Sequence, residues 1–439
     1  MELNRFYHGL IWIPVLLGIV VSCKPEKNTD IKGQSIVLHN TSSIFLKEKA
    51  VHIDRDKISI PTSETSTLLI QNGKGDTIPS QLEDRNGDGS WDRLFFLMDF
   101  DAGGRDTIQL VWTDNEVIYE PRSKVRFGVR ASKEDQVVRA KSDIFYPHEL
   151  PGVMGYQPYQ TDGPSWENDK VGFRHYLDGR NSKDVFGKKV SYLSPDSVGI
   201  NTEGVTEDNY HVMEDWGRDI LSVGNSVGIG GFGLKIKEHY ARIGVTEADS
   251  VNNVEETSFE VLASGPLKSL MKYEYRNWHP NDMDRTYQVE EWTSIWPGMY
   301  AYRNEVLFKG LKGDETAFIG LVNSNTDKPL TQLEVGKYMV FFTHDKQTYE
   351  KEWYLGLALI IPKDDYLSYS EGPDKGRFSD SFAIEMKISE NVPISYYSVA
   401  SWELADPGFA NESYFQEYLL DLTGQLDAEV TITDITESP

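Results

Sequence analysis

Between Trp166 and Asp219, acids, bases and aromatic residues follow one another more densely than packing or looping alone requires. The segment reads Trp166-Glu167-Asn168-Asp169, Phe173-Arg174-His175-Tyr176, a polar run from Asp178 to Lys189, then Tyr210-His211 and Asp215-Trp216-Gly217-Arg218-Asp219. Two of the chain's nine histidines and two of its ten tryptophans fall here. Histidine and tyrosine exchange protons, arginine and lysine neutralise carboxylates, and tryptophan rings stack on sugar faces. Together they suit a pocket for a polar, ring-shaped anion. The chemistry these groups could support is proton abstraction beside a uronate carboxylate, followed by loss of the β-substituent. That carbon acid is very weak, so its carboxylate must first be neutralised by Arg, Lys, Asn or a metal. A positioned base and an acid for the leaving oxygen then contribute roughly 10²–10⁴ each in rate.

On this chemistry His211 or His175 is the candidate base. Tyr210 or Tyr176 is the candidate acid or assisting hydroxyl, and Arg174 or Arg180 the carboxylate neutraliser. Trp166, Asn168, Arg180, Lys183, Trp216 and Arg218 are candidate substrate-binding residues. Strand alternation limits the set, because in an extended chain Arg174 and His175 face opposite sides, as do Tyr210 and His211. A glycosidase would need two suitably separated carboxylates instead, and Glu167, Asp169 and Asp215 are the first to test. Downstream, Arg276, Trp278, His279, Asp284, Arg285, Glu290, Trp292 and Trp296 form a second aromatic and charged segment that could supply the opposite pocket wall.

The elements that must position these groups read as β throughout. From 34 to 120, short runs such as Ser35 to Leu38, Thr67 to Ile70, Leu94 to Met98 and Thr107 to Trp112 alternate with turns, as in a small β-sandwich domain. The stretch Glu116 to Lys124, containing Pro121-Arg122-Ser123-Lys124, reads as a boundary. From 125 to 439, Tyr273/Tyr275 and Tyr287/Val289 alternate with polar residues, and Leu355 to Ile361 reads as a strand buried on both faces. These predict a mainly β chain whose larger part is an antiparallel β-sandwich catalytic domain. The one clear helix is Asn411 to Leu422, with Asn411 as cap and Gly424 as stop.

The N-terminus reads as a targeting segment. Arg5 precedes a mostly apolar run from Leu10 to Val21, too short to span a bilayer and suited to a signal-peptide core. It ends in Ser22-Cys23, the pattern of a lipoprotein signal over 1–22 with lipid on Cys23 and a tether over 23–33. The expected location is the cell envelope, at the outer membrane. Cys23 is the sole cysteine of 439 residues, so no intrachain disulfide can form. A net charge of −25 argues against nucleic acid as a partner. An anionic substrate needs a local reversal of that field, which Arg174, Arg180, Lys183, Lys188 and Lys189 could provide.

Two further motifs have plain alternatives. Asp84, Asn86, Asp88 and Asp92 place oxygens at alternate positions of a loop that resembles half of a calcium site, but Phe95 stands where the bidentate acid belongs. An Asx-rich turn explains the same residues, and calcium remains only a possible structural ligand. Gly228-Ile229-Gly230-Gly231-Phe232-Gly233 lacks the lysine and setting of a phosphate loop and predicts close backbone approach. Serine-hydrolase, zincin and Cys-x-x-Cys motifs do not occur.

Trp166-Glu167-Asn168-Asp169, Phe173-Arg174, Tyr210-His211, Asp219 and Gly228-x-Gly230-Gly231 resemble the signature of an envelope-protein family first catalogued as a domain of unknown function. The loop from Asp84 to Asp92 and Ser401-Trp402-Glu403 are similar to it as well. Members sit in bacterial polysaccharide-utilisation loci, and Phe173 to Asn181 resembles the ulvan-oligosaccharide dehydratase branch. The resemblance implies a lyase that removes water from a non-reducing-end glucuronic acid, leaving an unsaturated uronyl end. It also implies a mutarotase-like supersandwich. Many relatives carry an aliphatic or Met residue where this chain has His175, so a catalytic role there would be particular to this branch. Two other classes remain open: a non-catalytic glycan-binding lipoprotein that stacks sugars on Trp166 and Trp216, and a glycoside hydrolase.

Overall fold

The computed structural model describes residues 33–60, 67–149, 157–246, 251–280 and 283–435. The expected signal segment, the tether and Cys23 lie outside the described residues. Among the described residues no helix is long and apolar enough to cross a membrane.

The first strands build a small sandwich of two antiparallel sheets. One sheet runs Val430–Ile435, Gln34–Asn40, Arg105–Thr113, Thr67–Gln71 and Thr77–Ile78; the other runs Leu46–Asp54, Arg93–Phe100 and Ser80–Glu83. Alternation turns Ile36, Leu38, Val51, Ile53, Leu68, Ile70, Ile108 and Leu110 into a shared core. The last strand returns across the chain to pair with the first, Ser35 opposite Ile435 and Asn40 opposite Val430. The small sandwich therefore takes in residues from the far end of the expected 125–439 segment, and residues 33–439 cluster as one compact unit.

The remainder is a large antiparallel β-sandwich, as the composition of its strands predicts. A nine-stranded sheet runs Ser142–Phe145, Val254–Ala263, Ser269–Trp278, Tyr287–Ile295, Ala301–Lys309, Ile394–Trp402, Leu355–Pro362, Tyr338–Asp345 and Thr331–Val335. Two five-stranded sheets share its hydrophobic core. One runs Gly217–Asp219, Lys183–Lys188, Gly172–His175, Ser165–Asn168 and Ser123–Arg126; the other runs His239–Arg242, Ile229–Ile236, Glu315–Val322, Ser381–Met386 and Tyr366–Glu371. Leu355 to Ile361 is buried at every position, as a strand covered on both faces must be. Each fully buried Phe, Leu or Ile contributes about 1.5–3 kcal/mol.

The two smaller sheets meet where Lys183 and Gly228 form a parallel bridge. Gly228 has φ +75°, and a Cβ there would fall 1.7 Å from the Lys183 carbonyl oxygen. Only glycine permits that approach, as the glycine run predicts.

The helix spans Glu412–Asp427, capped by Asn411 Oδ1, which accepts from the Ser413 amide at 2.8 Å. Gly424 does not end it; the helix runs through that position to Asp427. Phe415, Leu419 and Leu422 are buried, and Phe415 seats against Gly356, where any Cβ would come within 2.6 Å of the ring. Packing of this face carries the helix past a residue that costs about 1 kcal/mol in a helix interior.

Candidate functional site

Register in the sheet that ends at Gly217–Asp219 sorts the charged residues onto two faces. Arg174 pairs with Asp184, and Phe186 pairs with Asp219. Residues 184 and 186 share a face, so Arg174, Asp184, Phe186 and Asp219 stand together. His175 pairs with Lys183 on the opposite face, which packs toward the nine-stranded sheet. The alternation in Phe173-Arg174-His175-Tyr176 thus assigns Arg174 and Tyr176 to one side and His175 to the other.

Arg174 is the centre of the first face and is fully buried. Its Nη2 donates to Asp219 Oδ2 at 2.7 Å and also to Asp184 Oδ2 and the Tyr176 hydroxyl, while Nη1 lies 3.6 Å from Asp162 Oδ2. The guanidinium sits between the Tyr176 and Tyr210 rings, 4.2 and 4.9 Å from their centroids. Burial works against its charge, but Tyr176, Asp219 and Asp184 hold it firmly ionised. Its Nε has no hydrogen-bond partner and Nη1 has only the Asp162 ion pair, and both nitrogens are shielded from solvent. Three carboxyl groups share this one cation. Burial and then Asp184 push the Asp219 carboxyl up to about 8, and burial raises that of Asp162.

Around this centre lies a cavity of about 810 Å³, within the range of sites that hold small organic ligands. Tyr210 and His211 both line it, because they occupy a 3₁₀ turn, Asn209–His211, rather than a strand. The opposed orientation expected for an extended pair therefore does not apply to them. The Tyr210 hydroxyl donates to Asp162 Oδ2 at 3.0 Å. His211 is 43% exposed, with Nδ1 3.4 Å from Asp219 Oδ2. Its Nε2 lies 3.7 Å from Asp208 Oδ1, so an acid stands against each ring nitrogen. Arg180 lies 3.5 Å over the Tyr176 ring centroid, and its Nε donates to Asp178 Oδ2 at 2.7 Å.

Basic residues Arg130, Lys133, Arg174, Arg180 and Arg377 line the cavity beside the acids Asp162, Glu207, Asp208 and Asp219. With the raised carboxyl of Asp219 this is a local reversal in a chain of net charge −25. It is made by other residues than expected, since only Arg174 and Arg180 come from the predicted basic run. Arg130, Lys133, Tyr349 and Arg377 arrive from distant loops, and nothing local in the sequence marks them. Asp162 and Asp219 belong to the dense segment or its border, but their role depends on Arg174.

Several expected site residues are not in this cavity. His175 is buried, its Nε2 2.8 Å from Asn181 Oδ1 and its ring 4.7 Å from that of Tyr273. Burial, then Lys183, lowers its pKa to about 3. It is a neutral packing residue without access to a substrate. Lys183 is buried in an ion pair with Glu291 at 2.6 Å. Asn168 donates to the carbonyls of Trp296 and Met299 at 2.7 and 2.8 Å and so ties a loop. Trp166 is buried against Phe173 and Tyr302, and Trp216 against Phe186, so neither offers a face to a sugar. The exposed ring at the cavity is Tyr349, 6.1 Å from His211. Arg218 is 8% exposed and donates to the Asp219 carbonyl at 3.1 Å, outside the lining.

The carboxylates suggested for a hydrolase do not converge. Glu167 is buried between Arg126 and Lys188, Asp169 accepts from the Gly298 amide, and Asp215 is exposed. The segment from Arg276 to Trp296 does not form the opposite wall: Trp278 is fully buried, and Trp296 lines a different cavity.

The Asp84 loop is satisfied by its own backbone. Asp84 accepts from the amides of Gly87 and Gly89, Asn86 from Asp88, Asp88 from Ser90, and Asp92 from Arg85. These oxygens serve Asx turns in this arrangement. Among the described residues no group of three or more His, Cys, Asp or Glu is placed to hold a metal.

A model of the DUF4861 family, a domain of unknown function, matches residues 38–432. The chain is 22% identical over 420 residues to an uncharacterized protein, P7, of Formosa agariphila, covering 91% of this chain and 94% of that one. Two solved structures from Enterococcus faecalis are similar at a TM-score of 0.46. One is an alpha-mannosidase, 8% identical, and the other a protein in glycosyl hydrolase family 38, 9% identical. They cover 92% and 91% of this chain, which spans about half of each, 46% and 47%.

Proposed function

The chain belongs to the DUF4861 family, and we propose that it is a carbohydrate-active carbon–oxygen lyase. Its substrate in this reading is a non-reducing-end glucuronic acid, as in ulvan oligosaccharides, and its reaction is the loss of water. The observation that carries the reading is a cavity whose lining joins Arg174 and Arg180 to the His211–Asp219 pair.

Arg174, with Arg180 beside it, neutralises the uronate carboxylate and makes the adjacent C5 proton more acidic. His211 takes that proton through Nε2, exchanging Asp208 for the substrate, while Asp219 stands at Nδ1. The electron pair forms the C4=C5 double bond, and the C4 hydroxyl leaves as water with a proton from Tyr210 or Tyr176. Burial pushes both phenols upward in pKa, so they stay protonated, their hydroxyls resting on Asp162 and Asp184 until the leaving oxygen draws the proton. Tyr349 is the aromatic surface available to the sugar ring.

Glucuronyl-rhamnose-3-sulfate oligomers incubated with the protein test this. The expected product has lost one water and absorbs as a conjugated enol ether. A product that has gained water would replace the lyase with a hydrolase, and bound but unaltered sugar would replace it with a binding protein. The proposal includes lipid attachment at Cys23 and an outer-membrane location, checked by mass spectrometry of the mature N-terminus and by release of a Cys23→Ala variant from membranes.

A further inference from the structure

A second cavity, of about 480 Å³, lies where the strand Leu46–Asp54, the nine-stranded sheet and the helix Glu412–Asp427 meet. Its apolar surface is aromatic: Trp296, Tyr300, Tyr397 and Tyr418 line it. Trp296 and Tyr397 meet edge to face at 6.2 Å, and Tyr300 and Tyr418 do so at 5.6 Å. Such rings offer flat apolar area at little cost in conformational entropy.

The charges around these rings are unbalanced in use. The acids are engaged: Glu48 pairs with Arg122, Asp406 accepts from the Tyr414 hydroxyl at 2.9 Å, and Asp421 accepts from Gln425 at 2.9 Å. Lys47, Lys49 and Lys170 line the same cavity, and none has a carboxylate within ion-pair distance among the described residues. Lys49 Nζ reaches only the Gln425 carbonyl, at 2.5 Å, and Lys170 only the Tyr300 ring, at 5.9 Å. Burial lowers the Lys49 pKa to about 8, a cost that a bound anion would relieve. Lysines with no carboxylate at ion-pair distance in a chain of net charge −25 favour a ligand that brings the negative charge.

We propose that this cavity is a second carbohydrate site, for a sugar ring bearing a carboxylate or sulfate, with the ring against the aromatic cluster and the anion among Lys47, Lys49 and Lys170. Its volume suits one or two pyranose rings. The lysines act as point charges and impose no planar fork, so carboxylate and sulfate are both accepted. The proposal is for binding alone; His52 on the cavity wall is taken up by Glu83, 3.5 Å away. Uronate as a ligand follows from the proposed function, but binding is read here without turnover and stands or falls separately.

Isothermal titration of the full chain with glucuronate, glucose 6-sulfate and glucose tests it. The comparison is a Lys47→Glu/Lys170→Glu variant, whose altered side chains are exposed or half-buried and leave the core intact. An Arg180→Ala variant separates the first cavity from the second. The expected result is saturable binding of at least one anionic sugar that persists in Arg180→Ala and weakens roughly tenfold or more in the lysine variant, with glucose much weaker. The preferred anion identifies the group recognised. Equal affinity in the lysine variant, equal affinity for glucose, or no saturable binding would overturn the proposal.

Discussion

Replacing Asp219 by asparagine separates the electrostatic cost of the site from its chemistry. In the native fold Asp219, Asp184 and Asp162 crowd around the single guanidinium of Arg174. Burial and Asp184 push the Asp219 carboxyl to about 8, against about 3.9 in an unfolded chain. Between those values the folded protein holds a proton that the unfolded chain has released. The stability contributed by protonated Asp219 is therefore full below about pH 4 and is lost as pH rises through about 8, at up to about 1.4 kcal/mol per unit. The amide introduced by Asp219→Asn would mimic the neutral carboxyl at every pH. The variant should match wild type near pH 4 and exceed it by several kcal/mol at pH 8, read by urea denaturation across that range. Turnover should move the other way. Above about pH 8, where wild-type Asp219 is ionised behind Nδ1, His211 loses that carboxylate and kcat falls by roughly 10²-fold or more. At lower pH the amide and the neutral carboxyl turn over alike. A stability difference that stays constant with pH, or one that favours wild type at high pH, would refute the shared-cation account.

The two histidines should separate cleanly. His211→Ala is expected to lower kcat by roughly 10²–10⁴ without loss of fold, whereas His175→Phe should keep turnover and change only thermal stability. Lys183→Met leaves Glu291 buried and unpaired, so it should cost about 3–5 kcal/mol in denaturation while KM stays unchanged. Asp84→Ala removes an Asx turn for about 1 kcal/mol, and added calcium should not shift the Tm of wild type.

Strand content and local phase were legible in the sequence because period-two alternation is written into consecutive residues. It put Arg174 and His175 on opposite faces and marked Leu355 to Ile361 as doubly covered. Which face becomes a cavity was not legible. Trp166 and Trp216 suit sugar stacking by composition, yet their neighbours Phe173, Tyr302 and Phe186 take up that surface. Lys183 looked like a ligand for an anion, and the anion is Glu291, 108 residues later in the chain. The 3₁₀ turn that lets Tyr210 and His211 share a wall is too short to leave a periodic trace. The rim residues Arg130, Lys133 and Arg377 carry no spacing signal, since only the folded sheets bring their loops together.

The strand Val430–Ile435 sets an order of events during biosynthesis. Its partner Gln34–Asn40 leaves the ribosome long before it, so that edge of the sheet stays uncovered while the intervening strands are made. Hydrogen bonds between residues 388 and 392 positions apart close late, because loop closure must precede any contact that rewards it. A nascent chain can therefore complete the large sandwich before the small one, and the first-made strands are the last to be sealed. In a chain exported as proposed, this delay keeps the segment behind the signal open while the rest is still being made.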